Sequence, residues 1–283
     1  MNARIKWAGV VVLYHPASNV IHNIMTYCTS LDMLIVYDNT ETPSPYIKDN
    51  LKKIPTIKYV AFKENNGLAK ALNTALHMTT NYDYLLTMDQ DSSFPNGMFE
   101  YYKKMVEHWN DNKVAVFGVN YDGVKKTGWE FQKKVITSGS VLSIGKANII
   151  GGFDENLFID EVDHEYCYHA RKLGYRVIML NDIHLKHRLG ERKEVISLFG
   201  KKKYDEGVHS PLRTYYIFRN AIYIIFKYPS VLLPYMSFIR KRLCRILFGY
   251  QYQRKQQLMY ACRGIHDAIC GNMGKIHTNQ KSE

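Results

Sequence analysis

The stretch YDYLLTMDQDSSF, residues 82–94, decides the reading of this chain, because an apolar run ends there in two aspartates separated by one residue. Tyr84, Leu85, Leu86 and Met88 have the composition of a short buried strand, and Asp89, Gln90 and Asp91 fall where that strand runs out. Alternate residues of an extended segment point the same way, so both carboxylates would face one point just beyond the sheet edge. Such a pair suits a hard divalent cation, which takes one or two carboxylates from the protein and the rest of its shell from water and a phosphorylated substrate. The same residues would also serve as a solvated turn, with Asp and Ser capping a helix that starts near Pro95.

Working outward, residues 7–14, WAGVVVLY, form a continuous apolar run of the kind buried on both faces of a parallel sheet, too short for a secretory leader. Residues 19–31 are compatible with a helix. Residues 33–37 read as a second strand ending in Asp38 and Asn39, residues 46–51 as a short helix and residues 57–62 as a third strand. Strand, helix, strand, helix, strand implies a doubly wound α/β sheet, and ligands bind such sheets at the carboxyl ends of their strands. Asp38 and Asp89 lie at two of those ends. Between them, ENNGLAKALNTALH (residues 64–77) keeps Leu68, Leu72, Ala75 and Leu76 at helical spacing, with Asn65 or Asn66 available as a cap. Gly67, Ala69 and Ala71 keep the first turn slim, so its free N–H groups could approach a phosphate or sugar, or the helix could simply pack on the sheet.

Beyond the aspartates, residues 98–109 read as a helix, and residues 114–119, 131–136 and 140–144 as strands, the last two joined through Thr137, Ser138 and Gly139. Small residues in that joint would let a substrate come close to the backbone. A second acidic cluster follows in FIDEVDHEYCYHARKLG (residues 158–174). Val162, Tyr166, Ala170 and Leu173 form its stripe and Gly174 its stop. Asp160 and Asp163, three apart, would share a face near the helix start, whereas Glu165 is turned about two hundred degrees from Asp163. Acidic residues in a first turn also favour any helix through its dipole. Residues 176–180 and 183–187 read as two further strands, and His187 at the end of the second could reach the cleft of the carboxylates.

Length and composition, 283 residues with 46% hydrophobic and 23% charged, fit a globular protein and exclude disorder. The five cysteines are odd in number and lack C-x-x-C spacing, which fits a reducing cytoplasm and no disulfide framework. The net charge of +12 is unevenly placed: residues 1–200 carry 23 Lys/Arg against 22 Asp/Glu, and residues 201–283 carry 15 against 4. The last third therefore calls for an anionic partner, a membrane surface or nucleic acid. From Tyr215 onward, aromatic and aliphatic residues alternate with Arg and Lys, interrupted by Lys227, Pro229 and Pro234 well short of a bilayer span. That pattern is expected of an interfacial helix pair or of a helical lid on the catalytic domain. The end of the chain, residues 272–283, reads as a frayed terminus.

Taken together, these residues resemble glycosyltransferase family 2 on a GT-A fold, particularly its bacterial rhamnosyltransferase-like members. The resemblance rests on Asp38–Asn39, N-N-G-L-A-x-A-x-N from Asn65 to Asn73, D-x-D from Asp89 to Asp91, T-S-G-S from Thr137 to Ser140, G-F-D-E from Gly152 to Glu155, F-I-D-x-V-D-x-E-Y from Phe158 to Tyr166, H-x-x-G from His187 to Gly190, and Y-Y-x-x-R-N from Tyr215 to Asn220. It implies a GT-A catalytic domain, Rossmann-like with a mostly parallel central sheet, over residues 1–214, and a basic amphipathic helical extension over 215–283. It also implies an inverting, metal-dependent transfer of one sugar per acceptor, since the Q-x-x-R-W segment of processive synthases is absent. Asp38, Asn39, Asn66, Gly67, Ala71, Asn73, Asp89 and Gln90 would bind a nucleotide-sugar, with Asp89, Asp91 and His187 on Mg²⁺ or Mn²⁺. Asp163 would be the base and Glu165 its support at the acceptor, and Ser138, Gly139 and Arg219 would contact the acceptor. Val162 stands where many members carry an acidic residue, which leaves Asp160 as a rival base. The donor implied is dTDP-rhamnose, with a UDP-hexose or UDP-galactofuranose as the same-fold alternative. The acceptor would be a glycan or polyprenyl-diphosphate-linked sugar at the inner face of the plasma membrane, in surface polysaccharide synthesis. A nucleic-acid-binding role for the basic tail would need a recognisable module, and none is visible.

Overall fold

The apolar run at residues 7–14 forms an interior strand of a sheet, with a strand on either side. A computed structural model of the protein describes residues 4–121, 123–187, 193–196, 202–205, 209–249 and 253–276. Two compact units are resolved, Met1–Asp154 with Val162–Arg188, and Glu155–Glu161 with Leu189–Glu283. In chain order the first holds β1 (Trp7–Leu13), α1 (Val20–Met25), β2 (Met33–Asp38), α2 (Pro45–Lys52), β3 (Ile57–Ala61), α3 (Leu68–Met78), β4 (Tyr84–Asp89), β5 (Ser92–Ser93), α4 (Met98–Glu107), β6 (Val114–Tyr121), β7 (Trp129–Phe131), β8 (Ser140–Ser143), α5 (Ile144–Ile150), α6 (Val162–Lys172) and β9 (Arg176–His187).

The sheet order is β3-β2-β1-β4-β8-β6-β9-β5, with β7 also paired to β9. Strands β3, β2, β1 and β4 run parallel, as do β6 and β9, while β8 is antiparallel to both β4 and β6. This is the α/β arrangement that alternating strand and helix patterns predict. Val10, Val11 and Leu13 are buried, as expected of a central strand covered by helices on both faces. Trp7 anchors the base of the sheet: its ring stacks on Tyr84 at 4.8 Å between centroids, and its indole N–H donates to Glu107 at 2.6 Å. Register sets the business edge. Leu13 of β1 pairs with Asp38 of β2, and Val12 pairs with Asp89 of β4. Asp38 and Asp89 therefore stand at the same edge with β1 between them, about 10 Å apart from two strand spacings.

Several elements differ from the sequence reading. The helix expected over 19–31 stops at Met25, where the Thr26 hydroxyl donates to the Asn23 carbonyl at 2.6 Å, and Tyr27 (φ −142) leads into a short 3₁₀ turn at Cys28–Ser30. Of the strand expected over 131–136, only Phe131 is in a strand, as the last residue of β7 (Trp129–Phe131). The two strands expected at 176–180 and 183–187 are one, β9, which absorbs a register shift between its pairs Val119↔Leu180 and Asn120↔His184. Neither Asn65 nor Asn66 caps α3; Gly67 occupies the cap position at φ +82. The helix after the aspartates starts at Met98 behind Gly97, again without a side-chain cap, so Asp and Ser do not serve there. Leu173, placed in the stripe of α6, is 48% exposed.

In the second unit, β10 (Lys193–Ile196) and β11 (Lys202–Asp205) form an antiparallel hairpin, followed by α7 (Pro211–Lys227), α8 (Leu232–Cys244) and α9 (Arg254–Ile269). The boundary expected at residue 214 falls inside α7. Ser210 caps α7 by accepting the Arg213 N–H at 3.2 Å. Helices α7 and α9 lie close, because Gly264 leaves no Cβ where one would come 2.4 Å from the Tyr215 carbonyl. Tyr215 donates to Asp267 at 2.8 Å, and Thr214 donates to Gln257.

Candidate active site

The edge defined by β2, β1 and β4 gathers the first group of expected residues. Asp38 is buried and both its oxygens are engaged: one accepts the Thr40 N–H at 2.9 Å and the other the Tyr59 hydroxyl. Burial and then this bond push the Tyr59 phenol well above its ordinary range. Asn39 continues the edge and pins the loop before α3, its amide donating to the Gly67 carbonyl at 3.1 Å and its oxygen accepting the Asn66 N–H at 3.1 Å. Asn65 accepts the Gly67 N–H at 3.0 Å. The Asn-Asn-Gly segment is thus folded against Asn39, and the first turn of α3 opens behind a glycine of positive φ. Ala71 is buried in α3. Asn73, on the same helix, clasps the backbone of Phe153 with both ends of its amide, at 2.9 and 2.8 Å. A Cβ on Gly152 would lie 2.6 Å from the Asn73 oxygen, so the two motifs, distant in sequence, meet at one joint.

Asp89 ends β4, and Gln90 and Asp91 form a turn rather than an extended continuation. Gln90 braces this turn, accepting from the Tyr14 N–H at 2.9 Å and donating to the Tyr14 carbonyl at 3.2 Å, while Asn23 donates to its carbonyl at 3.0 Å. Behind it sits the small-residue joint. The buried Ser138 hydroxyl accepts the Asp89 N–H at 3.3 Å and donates to Ser92 at 2.7 Å. Gly139, at φ +77, donates its N–H to Thr87 at 2.9 Å, and a Cβ there would strike Val119 at 2.5 Å.

The same joint holds the second acidic cluster. One Asp163 oxygen accepts both the N–H and the hydroxyl of Thr137, at 2.8 and 3.3 Å, and the other accepts the His164 N–H at 2.8 Å. Thr137 and Ser138 are consecutive, so Asp163 and the Asp89 amide hang on adjacent residues of one turn. Tyr121, at the end of β6, lies in the field of both acids: burial first, then the charges of Asp163 and Asp89, push its phenol well above the ordinary value. Sequence reasoning missed Tyr121 because it ended that strand at Val119, before the register shift. Glu165 is buried at 1% exposure on α6.

Asp160 is placed differently from the expectation of a shared helix face. Helix α6 begins at Val162, and Asp160 and Glu161 precede it in left-handed conformations, φ +61 and +64. Both belong to the second unit, where the Arg213 fork reaches Asp160 at 3.0–3.3 Å and Tyr235 donates to Glu161. Arg219 is fully buried, its guanidinium donating to Gly274 at 2.6 Å, Asn156 at 3.3 Å and Asn220 at 3.1 Å, and lying over the Tyr215 and Tyr216 rings. Backbone pairing sets His187 opposite Ser92, but its side chain lies outside the described residues, as does Gly190. Among the described residues no three His, Cys, Asp or Glu side chains converge as a metal cluster. Asp89 at the strand end and Asp91 in the turn are, as hard oxygen donors, a chemically fitting pair for a hard cation that brings phosphate and water with it.

An α/β sheet with acidic residues at the ends of β2 and β4 and a third fastened to the turn before β8 is the arrangement of a glycosyltransferase of the GT-A type. The chain belongs to glycosyl transferase family 2, whose model matches residues 18–178, and it is rhamnosyltransferase-like. Among curated proteins, the dTDP-rhamnosyl transferase RfbF of Shigella flexneri is 27% identical over 252 residues, covering 80% of this chain and 81% of its own. Among solved structures, S. aureus TarS 1-349 matches 94% of this chain and 81% of its own with a TM-score of 0.55 at 17% identity. The structure of GalNAc-T7 with UDP, GalNAc and Mn²⁺ matches 66% of this chain with a TM-score of 0.56 at 12% identity. This chain spans 44% of GalNAc-T7, and at these identities both likenesses are of fold.

Proposed function

We propose that this glycosyltransferase moves rhamnose from dTDP-rhamnose to a glycan or polyprenyl-diphosphate-linked acceptor, with inversion, at the inner face of the plasma membrane in surface polysaccharide synthesis. The observation that carries the mechanism is the Thr137–Ser138 turn, which fastens Asp163 on one residue and the Asp89 amide on the next. A nucleoside diphosphate can bridge the edge from Asp38 to Asp89, with the base and ribose toward Asp38 and Asn39 and the diphosphate toward Asp89 and Asp91. The loop at Asn66 and Gly67 then faces the sugar. Mg²⁺ or Mn²⁺ held by Asp89 and Asp91, with His187 as a further ligand, would neutralise charge on the leaving diphosphate. Asp163 takes the proton of the acceptor hydroxyl as its oxygen bonds to the anomeric carbon and the bond from that carbon to the diphosphate breaks. A single displacement of this kind inverts the anomeric centre and needs no carboxylate nucleophile. Asp163 is preferred to Asp160 as base because the Arg213 guanidinium already engages Asp160. Glu165 supports α6 from its buried side. Ser138, Gly139 and Asn73 support the site by holding the backbone beneath it, and Arg219 by holding the second unit. The rhamnose assignment leans on the 27% identity to a dTDP-rhamnosyl transferase.

The test is a donor panel with membrane-extracted lipid-linked acceptor, read by product mass and by the anomeric signals in NMR. Rhamnose transfer with inversion, reduced about 10²–10⁴-fold in Asp163→Asn, supports the proposal. Transfer only from UDP-hexoses would remove the donor assignment. A product of retained configuration would remove the mechanism.

A further inference from the structure

We propose that the corner between α7 and α8 is a docking face for an anionic lipid bilayer. This sharpens the membrane-surface element of the proposed function to particular side chains. Phe226 at the end of α7 is 64% exposed, and at the start of α8 Leu232, Leu233 and Met236 are 44%, 80% and 50% exposed. The adjoining stripe of α8 is packed within the second unit, where Tyr235 and Ile239 are buried at 4% and 7%. The apolar tip therefore continues a packed stripe outward, on a helix that already has packing partners along that stripe.

Charge follows directly behind the tip. Arg240, Lys241 and Arg245 are exposed, and α8, LLPYMSFIRKRLC, contains no acidic residue. Apolar side chains leading and cations following is the order in which a surface-lying helix meets acyl chains and anionic headgroups. No helix among the described residues is long and apolar enough to cross a membrane, so insertion through this face would be shallow. Two other occupants fit less well. A second copy would bring its own strongly basic segment, with 15 Lys/Arg against 4 Asp/Glu in residues 201–283, against this one. Nucleic acid phosphates would meet the cations but leave four exposed apolar side chains without a role.

The experiment is flotation of the full chain with vesicles of phosphatidylcholine alone and with about 30% phosphatidylglycerol added. The wild-type protein should float with the anionic vesicles, less so as salt rises from roughly 0.15 M to roughly 1 M. Leu233→Glu combined with Met236→Glu should lower partitioning by about tenfold or more. Both sites are exposed, so the melting curve and nucleotide binding should be unchanged. Arg240→Ser with Arg245→Ser should flatten the salt dependence. Wild-type protein that ignores anionic vesicles, or a double-glutamate variant that floats as well as wild type, would overturn the proposal. So would a wild-type dimer that this variant converts to monomer without vesicle binding by either. In each case intact nucleotide binding would leave the transferase reading standing.

Discussion

Replacing Asn220 with alanine should loosen the segment that leads into α6. Asn220 is fully buried, and its amide donates to the Ile159 and Asp160 carbonyls at 2.7 and 2.9 Å while its oxygen accepts from Arg219 at 3.1 Å. Each bond contributes about 1 kcal/mol net, and buried partners left unpaired cost more, so the loss should be about 2–4 kcal/mol. The bonds also hold a strained stretch. Asp160 and Glu161 sit at φ +61 and +64, a region that costs residues with a side chain about 1–2 kcal/mol each unless neighbours enforce it. Circular dichroism melts should show the transition lowered by roughly 5–12 °C. Asn220→Asp separates the two halves of the argument, because it keeps an acceptor for Arg219 but turns an anionic oxygen on the two carbonyls. It should be at least as destabilising as alanine. A loss below about 0.5 kcal/mol for both variants would refute the reasoning.

Three further outcomes follow from other parts of the structure. Gly152→Ala should cost at least about 1 kcal/mol in denaturant titration, since the position has φ +77 and its Cβ would press 2.6 Å from the Asn73 oxygen. Burial pushes the phenols of Tyr27, Tyr59, Tyr102, Tyr121 and Tyr166 up, so the folded state favours their neutral form. Their stabilisation is complete below the unfolded value of about pH 10 and is lost as pH rises beyond it toward the higher folded values. Titration at 295 nm should show these tyrosines ionising only as the protein unfolds, and early ionisation of all tyrosines in folded protein would contradict their placement. Finally, iodoacetamide should label Cys244, Cys262 and Cys270 in the native protein and spare Cys28 and Cys167, which are buried, the Cys167 thiol being pushed up to about 12 by burial. Mass spectrometry of native and denatured samples checks this.

What the sequence revealed was what depends on local pattern. The apolar runs at residues 7–14, 33–37 and 82–88 gave three neighbouring strands, and the polar residues that end the last two gave Asp38 and Asp89 at the sheet edge. What it hid depends on partners far along the chain. Asn73 was read as a ligand contact from its motif, and nothing in that motif signals that its amide also clasps Phe153, a residue 80 positions away. Asp160 and Asp163 looked like neighbours on one helix face, but two left-handed residues place the helix start between them, and helical spacing carries no sign of backbone reversal. Tyr121 escaped because a strand that passes through a register shift loses its alternation. The break in α1 turned on the hydroxyl of Thr26, which bonds back to Asn23 and accepts the Phe94 N–H at 3.1 Å, a contact no window of residues 19–31 contains.

The measurement closest to the central claim is calorimetric titration of the protein with dTDP, with and without Mn²⁺, in the wild type and in Asp91→Ala. Binding that requires Mn²⁺ and disappears in the variant is the expected result, because the diphosphate should reach the protein through a cation at the Asp89–Asp91 turn. Failure to bind any nucleoside diphosphate, or equal binding by the variant with and without metal, would contradict a donor site at the carboxyl end of β4.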